Sequence, residues 1–365
     1  MTRVDADGHS DVPALRATVL CKYGEWLLGQ QNGSWVAEEL WPVINRDLGW
    51  IHRHWNDSWV MIDGETIDTQ SFWTAVVQHR ALRSGAALGR KLRSMDDLAG
   101  YEMQAKKILV HMQTFWYEKE GQIRARRFDG RSGLDSAAHL ASVWNFDPVG
   151  GCDALTFQPC SDRALSNLKA TIDRFKGLYP VSKYIPESEP GPLSMQFEDT
   201  YEGDMPWQLV IFGAAEQLYD ALTTWALFES LSVTRISLPF FRLFSTDVAP
   251  GTYMKTSDMY NTLTGRVRAY ADRALLLCAE RTLDNGVPPE GRDGNIGVWT
   301  NATRTHVAAL TAFAARQGKA PAPWGAKHVL WEFGELEDDG WEVLPDSPFV
   351  KKVVEFVLKM YHRAM

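Results

Sequence analysis

Carboxylates are the side chains of this sequence best placed to do chemistry. They stand in four distinctive runs: Asp63-Gly-Glu65, Glu198-Asp-Thr-Tyr201, Glu216-Gln-Leu-Tyr-Asp220 and Asn285-Gly-Val-Pro-Pro-Glu290. Two carboxyl groups in unlike surroundings, one protonated and one ionised, can carry out general acid–base catalysis. A single glutamate in a loop is far more often an exposed, solvated charge, so only its context can single it out. Tryptophan is also abundant, at 15 residues. Its flat face packs cores, where most of these belong, and stacks on sugar rings.

Helices must position these groups, because the dominant apolar period along the chain is helical. Asp11 as N-cap and Pro13 in the first turn open a helix that sets Leu15, Val19, Tyr23, Trp26 and Leu27 on one face. At the other end Ser347 and Pro348 start a helix with Val350, Val353, Val354, Val357, Met360 and Tyr361 in one stripe, closed by Lys359 and Arg363. Between them, helices are expected near 36–55, 70–89, 96–117, 134–144, 161–177, 205–231, 236–244, 256–283 and 299–317. Short extended pieces fit 123–128 and 195–200. Segments 180–200, 284–298 and 319–346, rich in Pro, Gly and acidic residues, read as loops. With no linker interrupting this pattern, residues 1–365 read as one all-α domain.

A net charge of −8 argues against nucleic acid, which requires clustered Lys and Arg. No run reaches membrane-spanning length, and residues 1–10 do not form a secretory signal peptide. Sequons occur at Asn32-Gly-Ser34, Asn56-Asp-Ser58 and Asn301-Ala-Thr303. Four cysteines, Cys21, Cys152, Cys160 and Cys278, decide little by number.

The stretch Ala-Ala-Glu216-Gln-Leu-Tyr-Asp220-Ala-Leu, preceded by Glu198-Asp-Thr-Tyr201 and Pro206-Trp207, closely resembles the central helix region of fungal glucoamylases, glycoside hydrolase family 15. The likeness continues in order through Val77-Gln-His-Arg-Ala-Leu82, Arg131-Ser-Gly133, Cys152 with Thr156-Phe-Gln-Pro-Cys160, Gly251-Thr-Tyr253, Asn285-Gly286 and Pro323-Trp-Gly325. It covers about 12–325 and leaves 326–365 unassigned. The resemblance implies an α/α toroid of the six-hairpin glycosidase type, incomplete at the N-terminus, since the family's opening helices have no counterpart here. Loops at one end of such a fold carry the site.

What the resemblance implies for the site is specific. Glu290, after the Asn285-Gly286 turn, falls on the family's general base. Counting back from Phe72 and Val77-Gln-His-Arg80 puts Glu65 on the general acid; counting forward from Trp55-Asn56 puts Gly64 there, with Asp63 as a second candidate. Asp199, Tyr201 and Trp207 match substrate-binding positions. Cys152 and Cys160 match a local disulfide, while Cys21 and Cys278 match no family bridge and read as buried thiols. Catalysis of this kind needs no metal and no organic cofactor.

Two functions follow. One is an inverting hydrolase that releases glucose from the non-reducing ends of α-1,4-glucans, extracellular and glycosylated like the family. The other is a relative that binds a glucan or a less polar ligand without hydrolysis. Gly64, Met195 and Arg304 replace a tryptophan, an arginine and a second tryptophan of the family, which removes charge-assisted hydrogen bonds to hydroxyls. Absent opening helices also predict uncovered apolar surface and self-association.

Overall fold

The computed structural model describes residues 11–57, 59–60, 66–67, 71–126, 133–194, 207–280, 292–293, 297–298 and 303–326. The chain divides into two compact units, residues 1–111 with 324–365, and residues 112–323.

The first unit contains α1 (Val12–Gly29), α2 (Gly33–Trp35), a π-turn at Val36–Leu40, α3 (Trp41–His54), the strands β1 (Trp59–Val60) and β2 (Thr66–Ile67), α4 (Phe72–Lys91) and most of α5 (Leu98–Gln113). α1 packs on α3 and α4. Its buried face is Ala14, Ala17, Thr18, Leu20, Cys21, Gly24 and Leu27. The expected stripe was drawn too large: Leu15, Val19, Tyr23 and Trp26 are only half-buried. Small residues win the inner face because the helices approach closely. A Cβ on Gly24 would lie 3.2 Å from Leu88 Cδ2, and one on Gly85 of α4 only 2.3 Å from Leu48 Cδ1.

Asp11 does occupy the N-cap position, but its side chain does not cap α1. Instead Oδ2 accepts the indole N–H of Trp73 at 2.8 Å. By contrast Ser71 caps α4, its hydroxyl accepting from the Thr74 amide at 3.0 Å. Arg16 grips Asp47 with two bonds, Nε to Oδ2 at 2.7 Å and Nη2 to Oδ1 at 2.5 Å, tying α1 to α3.

Two sequence motifs some 240 residues apart meet on α4. His79 stands edge-on to Trp324 at 5.9 Å, Arg80 lies over the same ring at 5.4 Å, and Arg83 donates to the Gly325 carbonyl at 2.9 Å. The helix face of Val77-Gln-His-Arg80 thus anchors Trp324-Gly325.

In the second unit α8 (Gln208–Leu227) is the central element, packed by α6 (Ala137–Trp144), α10 (Asp258–Ala279) and α11 (Thr303–Arg316). It is buried nearly all round, as its mostly apolar sequence requires. α7 (Asp162–Leu178) and the four-residue α9 (Leu238–Phe241) also pack together. Among the described residues the unit also has three antiparallel strand pairs: β3 (Trp116–Tyr117) with β4 (Gln122–Ile123), β5 (Ser230–Val233) with β6 (Gly251–Met254), and β7 (Arg292–Asp293) with β8 (Gly297–Val298).

The expected helix over 205–231 therefore ends early. Glu229 takes a left-handed turn at φ 51°, and Ser230–Val233 pairs with β6, where Leu231 and Val233 bury alternately. The extended piece expected at 123–128 overlaps β4. Its counterpart at 195–200 and the terminal helix at 347–363 lie outside the described residues.

Candidate active site

Trp207 is the expected substrate-binding residue whose side chain is described. It stands at the N-cap of α8, where its carbonyl accepts from the amides of Val210 at 3.0 Å and Ile211 at 3.3 Å. Its own amide donates to Leu193 at 2.8 Å, so the approach to the helix is fixed on both sides. Trp207 is half-buried and packs against the core at the helix N-terminus.

Glu65, Asp63, Glu290, Asp199 and Tyr201 lie outside the described residues, as do Gly64 and Met195. In sequence Glu65 directly precedes β2, which pairs Thr66 with Val60 and Ile67 with Trp59. Glu290 comes two residues before β7, which pairs Arg292 with Val298. Arg304 is exposed near the start of α11.

Sequence reasoning did not anticipate the chemistry of Glu216 and Asp220. One helical turn apart on α8, both carboxyls hold their protons more tightly than exposed carboxyls do. Desolvation pushes Glu216 from 4.5 up to about 7, against the hydrogen bond that Thr311 Oγ1 donates to its Oε2 at 2.5 Å. Asp220 is raised well above the usual carboxylate range, by burial first and then by the nearby Glu216. Two acidic residues four apart on an otherwise apolar helix were the available signal. Asp220 is only 4% exposed, whereas Glu216 is half-buried where it meets Thr311.

Next to it, Asp272 Oδ1 on α10 accepts from Tyr219 Oη at 2.6 Å and from Arg316 Nε at 2.7 Å. These bonds join α8, α10 and α11. Elsewhere in this unit a cleft of about 440 Å³ is lined by Glu189, Leu243, Arg266, Tyr270 and Arg273, none of them an expected site residue.

Cys152 and Cys160 are disulfide-bonded, with Cα atoms 4.9 Å apart. The loop they close is also held by side chains. Asn145 Nδ2 donates to the Thr156 carbonyl at 2.6 Å, Gln158 Nε2 to the Asn145 carbonyl at 2.9 Å, and Asp153 accepts from Thr156 Oγ1 at 2.7 Å. Cys21 and Cys278 are buried and lie outside that disulfide. Among the described residues no group of three or more His, Cys, Asp or Glu could hold a metal ion, and no helix is long and apolar enough to cross a membrane.

The described residues are mostly helical, an all-α protein, and likeness to solved family 15 glucoamylases puts it in the α/α toroid class. The comparisons make this specific. The description "Glycosyl hydrolases family 15" matches residues 9–302, and the chain belongs to that family. It is 41% identical over 325 residues to Glucoamylase-1 of Schizophyllum commune, covering 87% of this chain and 55% of that protein. With Glucoamylase-1 of Arthroderma benhamiae it shares 36% over 337 residues, covering 88% and 52%. The solved structure of the family 15 glucoamylase from Hypocrea jecorina superposes with a TM-score of 0.82 at 37% identity, over 90% of this chain and 54% of that one. The chain thus spans about half the length of the curated relatives it matches.

Proposed function

We propose that the chain carries the catalytic centre of a glucoamylase, an inverting hydrolase that releases glucose from the non-reducing ends of α-1,4-glucans. The observation that carries this reading is the family match over 9–302, which runs through both carboxylate segments, together with 41% identity to a protein named a glucoamylase. Glu290 acts as general base and activates a water. Glu65 acts as general acid and protonates the leaving oxygen, with Asp63 as the alternative. Inversion places the two carboxyls roughly 6.5–9.5 Å apart, leaving room for that water. Asp199, Tyr201 and Trp207 hold the glucan, Trp207 by stacking its ring on a sugar.

An extracellular site of action accompanies this reading, supported by the Cys152–Cys160 disulfide, since such bonds persist in oxidising compartments. The test is anomer-resolved detection of glucose released from maltose and soluble starch. β-Glucose as first product, abolished by Glu290→Gln, supports the proposal. A folded protein that binds maltooligosaccharides and releases no glucose would establish the non-hydrolytic alternative instead.

A further inference from the structure

We infer that Asn32 is an N-glycan acceptor and that Trp35 beside it receives the first sugar; the inference rests on the extracellular reading above. Asn32-Gly33-Ser34 is a sequon with no proline at its centre. All three residues are described. Asn32 and Ser34 are exposed, and a Cβ placed on Gly33 would meet only the tip of Leu28 at 3.6 Å.

The backbone of Asn32 is fully used while its side chain is not. Its amide donates to the Leu27 carbonyl at 3.0 Å and its carbonyl accepts from Val36 at 3.1 Å, so the turn between α1 and α2 is fixed. Although it sits at the N-cap of α2, its carboxamide makes no capping bond. Asn45, Asn145 and Asn167, none of them in a sequon, instead spend their side chains on internal hydrogen bonds. A cap that does not cap leaves Nδ2 free for transfer.

Trp35 follows three residues later, on the same side of the helical segment, and the residue is 39% exposed. A flat exposed indole one turn from the acceptor nitrogen is a platform for an N-acetylglucosamine ring. The disulfide between Cys152 and Cys160 independently points to the oxidising secretory route in which such transfer occurs.

The donor would be an oligosaccharide linked through pyrophosphate to a lipid. The bond between C1 of its terminal N-acetylglucosamine and the phosphate oxygen breaks as Nδ2 bonds to C1. One amide proton is lost to a base of the transferase, and the lipid pyrophosphate departs.

The experiment expresses the full chain behind a cleavable secretion leader in a eukaryotic host and examines both secreted and cell-retained protein, so poor folding does not hide the result. Peptide-N-glycosidase in heavy-oxygen water converts a glycan-bearing asparagine to labelled aspartate. Most Asn32 should carry the label, and Ser34→Ala should abolish it there without changing the Asn56 peptide. Ser34→Ala, which bares Asn32 alone, should change tryptophan fluorescence in the wild-type background and leave it unchanged in Trp35→Phe. Unlabelled Asn32 in both pools overturns acceptance of a glycan, and unaltered fluorescence overturns the stacking. Glucose release is measured on the same samples: an active enzyme with bare Asn32 refutes only this inference, and an inactive one with glycosylated Asn32 refutes only the hydrolase.

Discussion

Thr311 of α11 donates its hydroxyl hydrogen to Glu216 of α8 at 2.5 Å, one helical turn before the buried Asp220. A hydroxyl reaches into a desolvated acid pair, and the contact between these two helices becomes sensitive to protons. Desolvation raises both carboxyls, Glu216 to about 7. Such groups contribute their stability fully below the unfolded value near 4.5, and it is lost as pH rises through the folded value. Urea unfolding should therefore show stability falling between about pH 4.5 and 8, with Glu216→Gln flattening the slope and exceeding wild type by about 1–3 kcal/mol at the alkaline end. Identical pH slopes for the two proteins would refute the assignment.

The proposed carboxylates make a separate prediction. Glu290→Gln and Glu65→Gln should each lower kcat by about 10²–10⁴-fold with unchanged circular dichroism, while Asp63→Asn stays near wild type. If Asp63→Asn carries the loss and Glu65→Gln does not, the acid is Asp63.

For the cysteines, intact mass before and after reduction should differ by one disulfide, and alkylation of the folded, unreduced protein should be slow at Cys21 and Cys278. Both thiols are at most 1% exposed. Replacing Cys152 and Cys160 by Ser should cost about 2–3 kcal/mol, the modest effect of closing a short loop. Four alkylatable thiols in unreduced protein would contradict the bond.

Arg16→Met should strand the Asp47 carboxylate, whose side chain is 4% exposed. Unfolding should cost about 2–4 kcal/mol less than in wild type, below the usual range for a fully buried pair because Arg16 is itself part-exposed. Adding Asp47→Asn should recover part of that loss. A single variant as stable as wild type would show that the pair contributes nothing.

The sequence by itself determined the all-α class, the places of most helices and the family. Apolar spacing and ordered motifs are local along the chain, and the family resemblance those motifs carry also implied the Cys152–Cys160 pairing. It also supplied Glu65 and Glu290 as the acid and base to test. What it could not decide depends on how near separate segments come. The inner face of α1 takes Ala14, Ala17 and Gly24 beside Leu20 and Leu27, while Leu15, Val19, Tyr23 and Trp26 stay half-buried, because the helices approach so closely that volume as well as hydrophobicity selects the residues. Asp11 turned from a cap into a partner of Trp73, and Ser230–Val233 became a strand because β6 offered it a ladder. Glu216 and Asp220 were legible as letters, but their raised proton affinity exists only where neighbouring helices exclude water, a condition that tertiary packing alone creates.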